Sequence, residues 1–144
     1  MERKKVLIWI SVAVALAALI VGVGLALNSR KAVELQLPEV EEVVTVEVAT
    51  PDTASQMSMS SSYYQEYIAD LLTALEDSEP TAEQSENDQP TGVEEYDTIK
   101  VTTADEVYVL YVYERNGTTY VEVPYQGIYK ADDGLLQYLE NIPQ

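Results

Sequence analysis

The sequence predicts an α+β protein with one N-terminal transmembrane helix and one small domain built on an antiparallel sheet. Three observations lead to this prediction. The chain of 144 residues opens with a long run that has no charged side chain. Two later segments have apolar residues at helical spacing. Around them lie short stretches rich in β-branched residues and tyrosine, which gives the order β-α-β-β-β-α.

The apolar run covers residues 6–27, VLIWISVAVALAALIVGVGLAL. As a helix it is about 33 Å long, enough to cross a hydrocarbon core of about 30 Å. The basic tail at residues 1–5 carries more positive charge than the residues after the run, which favours a cytoplasmic N-terminus and an exported domain. The alternative is a cleaved secretory signal that releases a secreted domain, although such signals usually have shorter apolar regions.

The composition excludes several classes of function. The chain has no cysteine and no histidine, so it has no thiol chemistry, no disulfide and neither the commonest general base nor the commonest metal ligands. From Ala32 onward there are 24 acidic and three basic residues, a net charge of −21. Such a surface repels nucleic acid. We therefore expect no enzyme, no nucleic-acid binding and no cofactor, and we assign no catalytic or metal-binding residue.

The exported part begins with an acidic juxtamembrane stalk at residues 28–42, and the small domain follows at residues 43–142. VVTVEVAT, residues 43–50, alternates in hydropathy and predicts a half-buried strand that Pro51 ends. A serine-rich stretch then leads into an amphipathic helix of about 14 residues, in which Ser62 and Gln65 have the spacing of a capping box. The predicted buried side of this helix contains Tyr64, Tyr67, Ile68, Leu71, Leu72 and Leu75.

Residues 76–95 are predicted to form a flexible acidic loop, because their composition offers little apolar surface to bury. TIKVTT then predicts a strand with Ile99 and Val101 on one face. EVYVLYVYERNGTTYVEV predicts a β-hairpin, because Asn116 and Gly117 both accept positive φ in a two-residue turn.

The hairpin turn predicts the register of its two strands. The expected pairs are Arg115 with Thr118, Tyr113 with Tyr120, Val112 with Val121, and Tyr111 with Glu122. One face then contains Tyr108, Leu110, Val112, Val121 and Val123, and the other contains Val109, Tyr111, Tyr113 and Tyr120. Since neither face is polar, we expect the hairpin to be covered on both sides or to display a tyrosine face.

The segment PYQGIYK, residues 124–130, is predicted to turn the chain. Pro124 ends the preceding strand, Gly127 takes a left-handed conformation, Ile128 points inward and Tyr129 points outward. The closing stretch ADDGLLQYLENIPQ predicts a short helix that Asp132 or Asp133 caps. Its apolar side consists of Leu135, Leu136, Leu139 and Ile142.

YVEVPYQGIYK, preceded by EVYVLYVYERNG and NDQP, resembles an uncharacterised family of small extracytoplasmic domains from Gram-positive bacteria, with a PYxGIY-type sequence near the C-terminus. The resemblance covers Leu37 to Leu139 and is most specific from Tyr120 to Lys130. Val123 departs from it, since similar proteins often have glutamine before the proline. The resemblance implies an N-terminal signal or anchor and an exported domain, and it implies no activity.

The expected function is a membrane-tethered binding or accessory module of the cell envelope. The chain has 11 tyrosines and no phenylalanine, and tyrosine is favoured at interfaces. The candidate residues for binding an envelope protein are Tyr111, Tyr113, Tyr120, Tyr125, Gln126 and Tyr129. Each residue type in the PYQGIY segment also has a structural reason to be present, so the segment fits a structural corner as well as a site.

Two alternatives are less favoured. An acidic cation- or calcium-responsive module is the first, with Asp132, Asp133, Glu94, Glu95 and Asp97 as candidate ligands. The second is a small hydrolase of wall polymers that uses two carboxylates, for which so small a domain offers little room.

Overall fold

The computed structural model describes residues 33–51 and 57–142. The chain divides into two units, Met1–Lys31 and Ala32–Gln144, and the described residues belong to the second. The predicted basic tail, the predicted transmembrane helix at 6–27 and the start of the predicted stalk lie outside the described residues. Within the described ranges, no helix combines the length and apolar character needed to span a membrane.

The described residues form a seven-stranded antiparallel sheet and two α-helices, so the α+β class is confirmed for the domain. The strands are β1 Val43–Ala49, β2 Met57–Ser60, β3 Glu79–Pro80, β4 Asp97–Thr103, β5 Val107–Arg115, β6 Thr118–Val123 and β7 Gly127–Lys130. The helices are α1 Ser61–Glu76 and α2 Gly134–Glu140, and a 3₁₀ turn covers Val40–Glu42. The strands lie in the order β2-β1-β4-β5-β6-β7-β3. Three of them, β2, β3 and β7, are missing from the predicted order.

Both helices pack on one face of the sheet and enclose the hydrophobic core. Helix α1 contributes the buried residues Ile68, Leu71, Leu72 and Leu75, which its predicted apolar side contains. Each buried aliphatic side chain of this size stabilises the fold by about 1.5–3 kcal/mol. The predicted capping box is wrong, because the helix begins at Ser61 and its N-cap residue Ser60 makes no side-chain cap. The Ser60 hydroxyl instead contacts the Ser62 hydroxyl at 2.8 Å.

Helix α2 is held in place from two sides. Its Leu135 and Leu139 are buried in the core, as predicted, and Asp132 Oδ1 accepts a hydrogen bond from the Gly134 N–H at 2.8 Å. The rings of Tyr67 and Tyr138 stack with centroids 4.7 Å apart. Each of these two hydroxyls donates to the other residue's backbone carbonyl, at 3.0 and 3.1 Å. These reciprocal bonds connect α1 to α2.

The β5–β6 hairpin has the predicted register. Arg115 pairs with Thr118, Tyr113 with Tyr120, Val112 with Val121, and Tyr111 with Glu122. Both turn residues have positive φ, 55° at Asn116 and 74° at Gly117. The local chemistry of an Asn-Gly turn therefore fixes which side chains of the hairpin face the core and which face away from it.

Two segments that the sequence predicts to be a stalk and a flexible loop contribute to the folded domain. The predicted stalk at 28–42 includes Leu35, which is buried in the core. The predicted acidic loop at 76–95 includes β3, where Glu79 and Pro80 pair with Lys130 and Tyr129. Beyond β3, the Thr81 N–H donates to the Ile128 carbonyl at 3.0 Å and the Ile128 N–H donates to the Glu83 carbonyl at 3.3 Å. The acidic segment thus continues along β7 instead of leaving the sheet.

Candidate functional site

The turn between β6 and β7 has a tyrosine where a glycine is expected. The Gln126 N–H donates to the Val123 carbonyl at 3.1 Å, Pro124 is the second residue of the turn, and Tyr125 is the third, with φ of 60°. This is the pattern of a type II turn, whose third residue requires positive φ. The predicted left-handed conformation at Gly127 is wrong, because Gly127 already pairs with Val123 at the start of β7.

Tyr125 is exposed at this turn, with 66% of its surface accessible. Its hydroxyl donates to Asp88 Oδ1 at 2.9 Å, and this hydrogen bond raises the pKa of Tyr125. A side chain with a Cβ in the left-handed region costs about 1–2 kcal/mol relative to ordinary backbone. Among the described residues, only Asn116 shares this conformation without being glycine, and Asn116 belongs to a hairpin turn that favours it.

A groove of about 630 Å³ lies beside this turn, and we call it the Pro124 groove. It is lined by Val107 to Tyr111 of β5, by Val123, Pro124 and Gln126, by Leu35 to Leu37, and by Asp88 and Glu106. The Tyr108 hydroxyl donates to Glu106 Oε2 at 2.7 Å, and this bond raises the pKa of Tyr108. The lining therefore combines apolar side chains with two carboxylates, and none of its described residues is lysine or arginine.

The six tyrosine and glutamine residues proposed from the sequence do not form one surface. The exposed Gln126 and the buried Tyr111 line the groove, whereas the exposed Tyr125 lies at the turn beside it and is not part of the lining. Tyr129 is 1% exposed and lies in the core, so its predicted outward orientation is wrong. Tyr129 pairs with Val121, whose side chain is also in the core, whereas Ile128 lies on the opposite face of the sheet.

Tyr113 and Tyr120 belong to the second face of the hairpin, which the acidic segment covers. Tyr113 is 2% exposed, and its hydroxyl donates to Glu122 Oε2 at 3.0 Å. The Ser85 hydroxyl donates to the other oxygen, Glu122 Oε1, at 2.6 Å. Burial, and then the nearby Glu122 carboxylate, raise the pKa of Tyr113 well above its ordinary value. The expectation of a hairpin covered on both sides thus agrees with the structure at Tyr113.

The outer part of this face carries a partly exposed ion pair. Arg115 contacts Glu83 Oε1 at 2.6 Å, and its guanidinium lies 4.7 Å from the centre of the Tyr120 ring. The hydrogen bond to Glu83 is the main cause that raises the pKa of Arg115. Because both side chains remain partly exposed, the pair contributes at most about 1 kcal/mol. It positions the acidic segment over Tyr120 more than it stabilises the domain.

The carboxylates proposed as calcium ligands lie in different parts of the domain and have different surroundings. Asp132 accepts the Gly134 N–H, Asp97 is buried in β4, and Glu94 and Glu95 are exposed before β4. In residues 33–51 and 57–142, no three carboxylate-bearing residues are arranged to hold a metal ion.

Asp88, Glu106, Val107 and Val109 are among the groove residues that the sequence did not indicate as binding candidates. The signal for two of them was present in the predicted hairpin register. Continuing that register past Tyr111 and Glu122 brings Val109 opposite Pro124, which has no N–H to donate. Asp88 has no comparable signal, because its partner Tyr125 lies 37 residues further along the sequence. Glu106 contacts Tyr108, only two residues away, but no sequence pattern indicates that this pair borders a groove.

The comparisons with known proteins agree with a small uncharacterised domain. The chain is similar to the protein from Ruminococcus gnavus whose structure was determined by NMR, with 28% sequence identity and a TM-score of 0.59. The similarity covers 72% of this chain and 97% of that chain. No curated protein matches the chain. The sequence model of DUF5301, a domain of unknown function (DUF5300), matches residues 31–130. Since this match extends over most of the sequence, the chain belongs to the DUF5301 family.

Proposed function

We propose that this protein is a membrane-tethered binding or accessory module of the envelope of Gram-positive bacteria. In this proposal, residues 6–27 anchor the chain with its N-terminus in the cytoplasm, and the domain lies outside and binds an envelope protein at the Pro124 groove. The proposal includes no catalysis and no cofactor. The similarity to a Ruminococcus gnavus protein supports the bacterial part of the proposal.

The conformation of Tyr125 is the observation that carries the binding proposal. A glycine at position 125 would relieve the backbone strain, and the exposed phenol ring fills no space in the core. Residues with a strained backbone conformation are concentrated at binding and catalytic sites. Tyrosine also suits such a site, since its ring offers a large contact area at a small cost in conformational entropy. Tyr125 therefore has the features of a residue retained for contact with a partner.

The apolar run and the basic residues before it support the proposed location. We expect a membrane-impermeant protease, added to intact cells from which the wall has been removed, to digest the domain and leave the N-terminal segment in the membrane. Permeabilised cells serve as the control for total digestion. Two results would contradict a retained anchor with the domain outside. One is full-length protein that resists protease in intact cells, and the other is a domain recovered in the medium without the first 27 residues of the chain.

Site-specific photo-crosslinking in intact cells tests the binding proposal. A crosslinking amino acid replaces Gln126, which is exposed beside Tyr125, or Gln137, which is exposed on α2 and serves as the matched control. We expect a discrete envelope protein to be captured from position 126 and not from position 137. Equal products at both positions, or none at position 126, would contradict a binding site at the turn.

A second pair of variants separates binding from folding. With the crosslinker at position 126, Tyr125→Gly is expected to abolish capture while the fold is kept, because glycine accepts φ of 60° and relieves about 1–2 kcal/mol of strain. Tyr63→Ala removes a tyrosine that is 86% exposed on α1 and is expected to leave capture unchanged. Capture that persists in Tyr125→Gly would show that this side chain has no role in binding.

A further inference from the structure

Strand β5 is longer than its neighbour β6, and this difference leaves part of β5 without a partner strand on the β6 side. β5 has nine residues and β6 has six. The last pair between them is Tyr111 with Glu122, after which the chain leaves at Pro124. Among the described strands, residues 107–110 pair with β4 on one side and with none on the other. The other side of this stretch borders the Pro124 groove.

The register shows which backbone groups face the groove. In a two-residue hairpin the residues flanking the turn, here Arg115 and Thr118, form a hydrogen-bonded pair, and hydrogen bonding to the partner strand then recurs at every second residue. The same alternation directs the N–H and C=O groups of Val109 and Val107 away from β4. The bond from the Ala131 N–H to the Thr119 carbonyl, at 3.0 Å, fits this alternation, because it shows Thr119 bonding away from β5.

These groups of Val107 and Val109 have no backbone partner within the described part of the chain. Pro124 would lie opposite Val109, but it has no N–H, and the turn at Tyr125 carries the chain away from β5. The backbone hydrogen bonds that the described residues make outside the helices and ladders involve neither Val107 nor Val109. Two donors and two acceptors at strand spacing are therefore directed toward the groove.

We infer that the Pro124 groove binds an extended peptide segment rich in lysine or arginine, which adds a short strand to β5 alongside Val107 and Val109. The inference rests on the proposed function and specifies which part of the envelope partner is recognised. Strand addition uses backbone bonds for affinity and side chains for specificity. Here Val107 and Val109 supply the backbone groups, and Asp88 and Glu106 supply negative charge on the groove.

The charges near the groove favour a basic segment over a second copy of this chain. Lys100 is the basic residue nearest in register, opposite Val109, but it also lies opposite Glu47 on β1. The whole chain has a formal net charge of −17, so two copies repel each other. A basic segment is attracted by the negative charge of the domain and avoids this repulsion.

Hydrogen exchange of the full-length protein in neutral detergent micelles tests the inference. The probe is the peptide acetyl-Lys-Val-Lys-Val-Lys-Val-amide, and the matched control has glutamate in place of lysine. We expect the lysine probe to slow exchange of the Val107 and Val109 amides about tenfold or more, as protected strand amides do, and to bind more weakly as salt is added. We expect the glutamate probe to change neither amide.

Two changes in covalent structure test for strand addition itself. Val109→Pro removes an N–H that takes no part in the ladder to β4, so we expect the fold to persist, with unchanged exchange at Val121, and the affinity for the probe to fall about tenfold. Methylation of alternate peptide nitrogens in the probe requires no change in the domain. One alternating set is expected to abolish binding and the other to preserve it, because only every second N–H of an added strand points to β5.

Several outcomes would overturn the inference. The first is equal binding of both probes. The second is slowed exchange spread over the acidic surface without protection of the Val107 and Val109 amides. The third is protection of these amides that rises with protein concentration in the absence of peptide, which would indicate a second copy in the groove. If Gln126 still captures an envelope protein in these cases, strand addition fails and the binding function stands. Equal capture at Gln126 and Gln137 contradicts the binding function itself.

Discussion

Tyr129→Ala is expected to lower the free energy of unfolding by about 3–5 kcal/mol, as the loss of a large buried aromatic side chain does. Tyr129 is 1% exposed and lies in the core. Its ring lies 3.5 Å from the place that a Cβ on Gly127 would occupy, so the neighbouring backbone is close to the ring. Domains of this kind have total stabilities of about 5–15 kcal/mol, so the loss is a large fraction. Urea denaturation of the full-length protein, followed by circular dichroism, measures it.

Two variants serve as controls for this prediction. Tyr129→Phe keeps the ring and is expected to change stability by less than about 1.5 kcal/mol. Tyr125→Ala removes an exposed ring from the turn that precedes β7, and we expect it to change stability by no more than about 0.5 kcal/mol. If Tyr129→Ala costs no more than Tyr125→Ala, Tyr129 is not a core residue, and the outward orientation predicted from the sequence would be restored.

Glu122→Ala is expected to cost about 2–3 kcal/mol. Glu122 is 5% exposed and accepts hydrogen bonds from the hydroxyls of Tyr113 and Ser85. Removing the carboxylate leaves two hydroxyls without their partner in a region that water reaches poorly. Glu122→Gln keeps the shape and one acceptor oxygen, so we expect a smaller loss. Thermal or urea denaturation ranks the two variants.

The ionisation of Tyr113 gives this prediction a second readout. Burial is the larger cause of its raised pKa, and the Glu122 carboxylate is the next. In Glu122→Gln the pKa of Tyr113 is therefore expected to fall toward the ordinary value for tyrosine but to stay above it, which absorbance of the phenolate against pH detects. Glu114→Ala, an exposed glutamate on the same hairpin, is the control and is expected to change neither quantity. A loss of stability that is equal in Glu114→Ala and Glu122→Ala would contradict the buried contact.

The parts of the fold that sequence predicts are those with a local cause. The Asn116-Gly117 turn specifies its own conformation, and the register of β5 and β6 follows from it residue by residue. The side of α1 that carries Ile68, Leu71 and Leu75 follows from helical spacing, because these residues fall on one side of any helix that contains them. Neither prediction needs knowledge of what the element packs against.

The missed parts have no local pattern long enough to identify them. Strands β2, β3 and β7 have four, two and four residues, too few to show an alternation that distinguishes a strand from a loop. The inversion of Ile128 and Tyr129 has a related cause, since a shift of one residue across the turn at Tyr125 exchanges the two faces of β7. The acidic segment is attached by separate polar contacts, such as Ser85 with Glu122, which no local pattern indicates.

The two edge strands of the sheet affect whether copies of the domain join to one another when they are crowded together. One end is β3, with two residues of which the second is Pro80, and the other is β2, with four residues. Long free edge strands allow sheets to join into fibres, and short edges or edge prolines prevent it. The stretch of β5 without a partner on the β6 side, by contrast, lies inside the sheet and ends where Pro124 begins the turn. In the proposed strand addition, the guest would pair with this short stretch alone and would present little edge on which a polymer could grow.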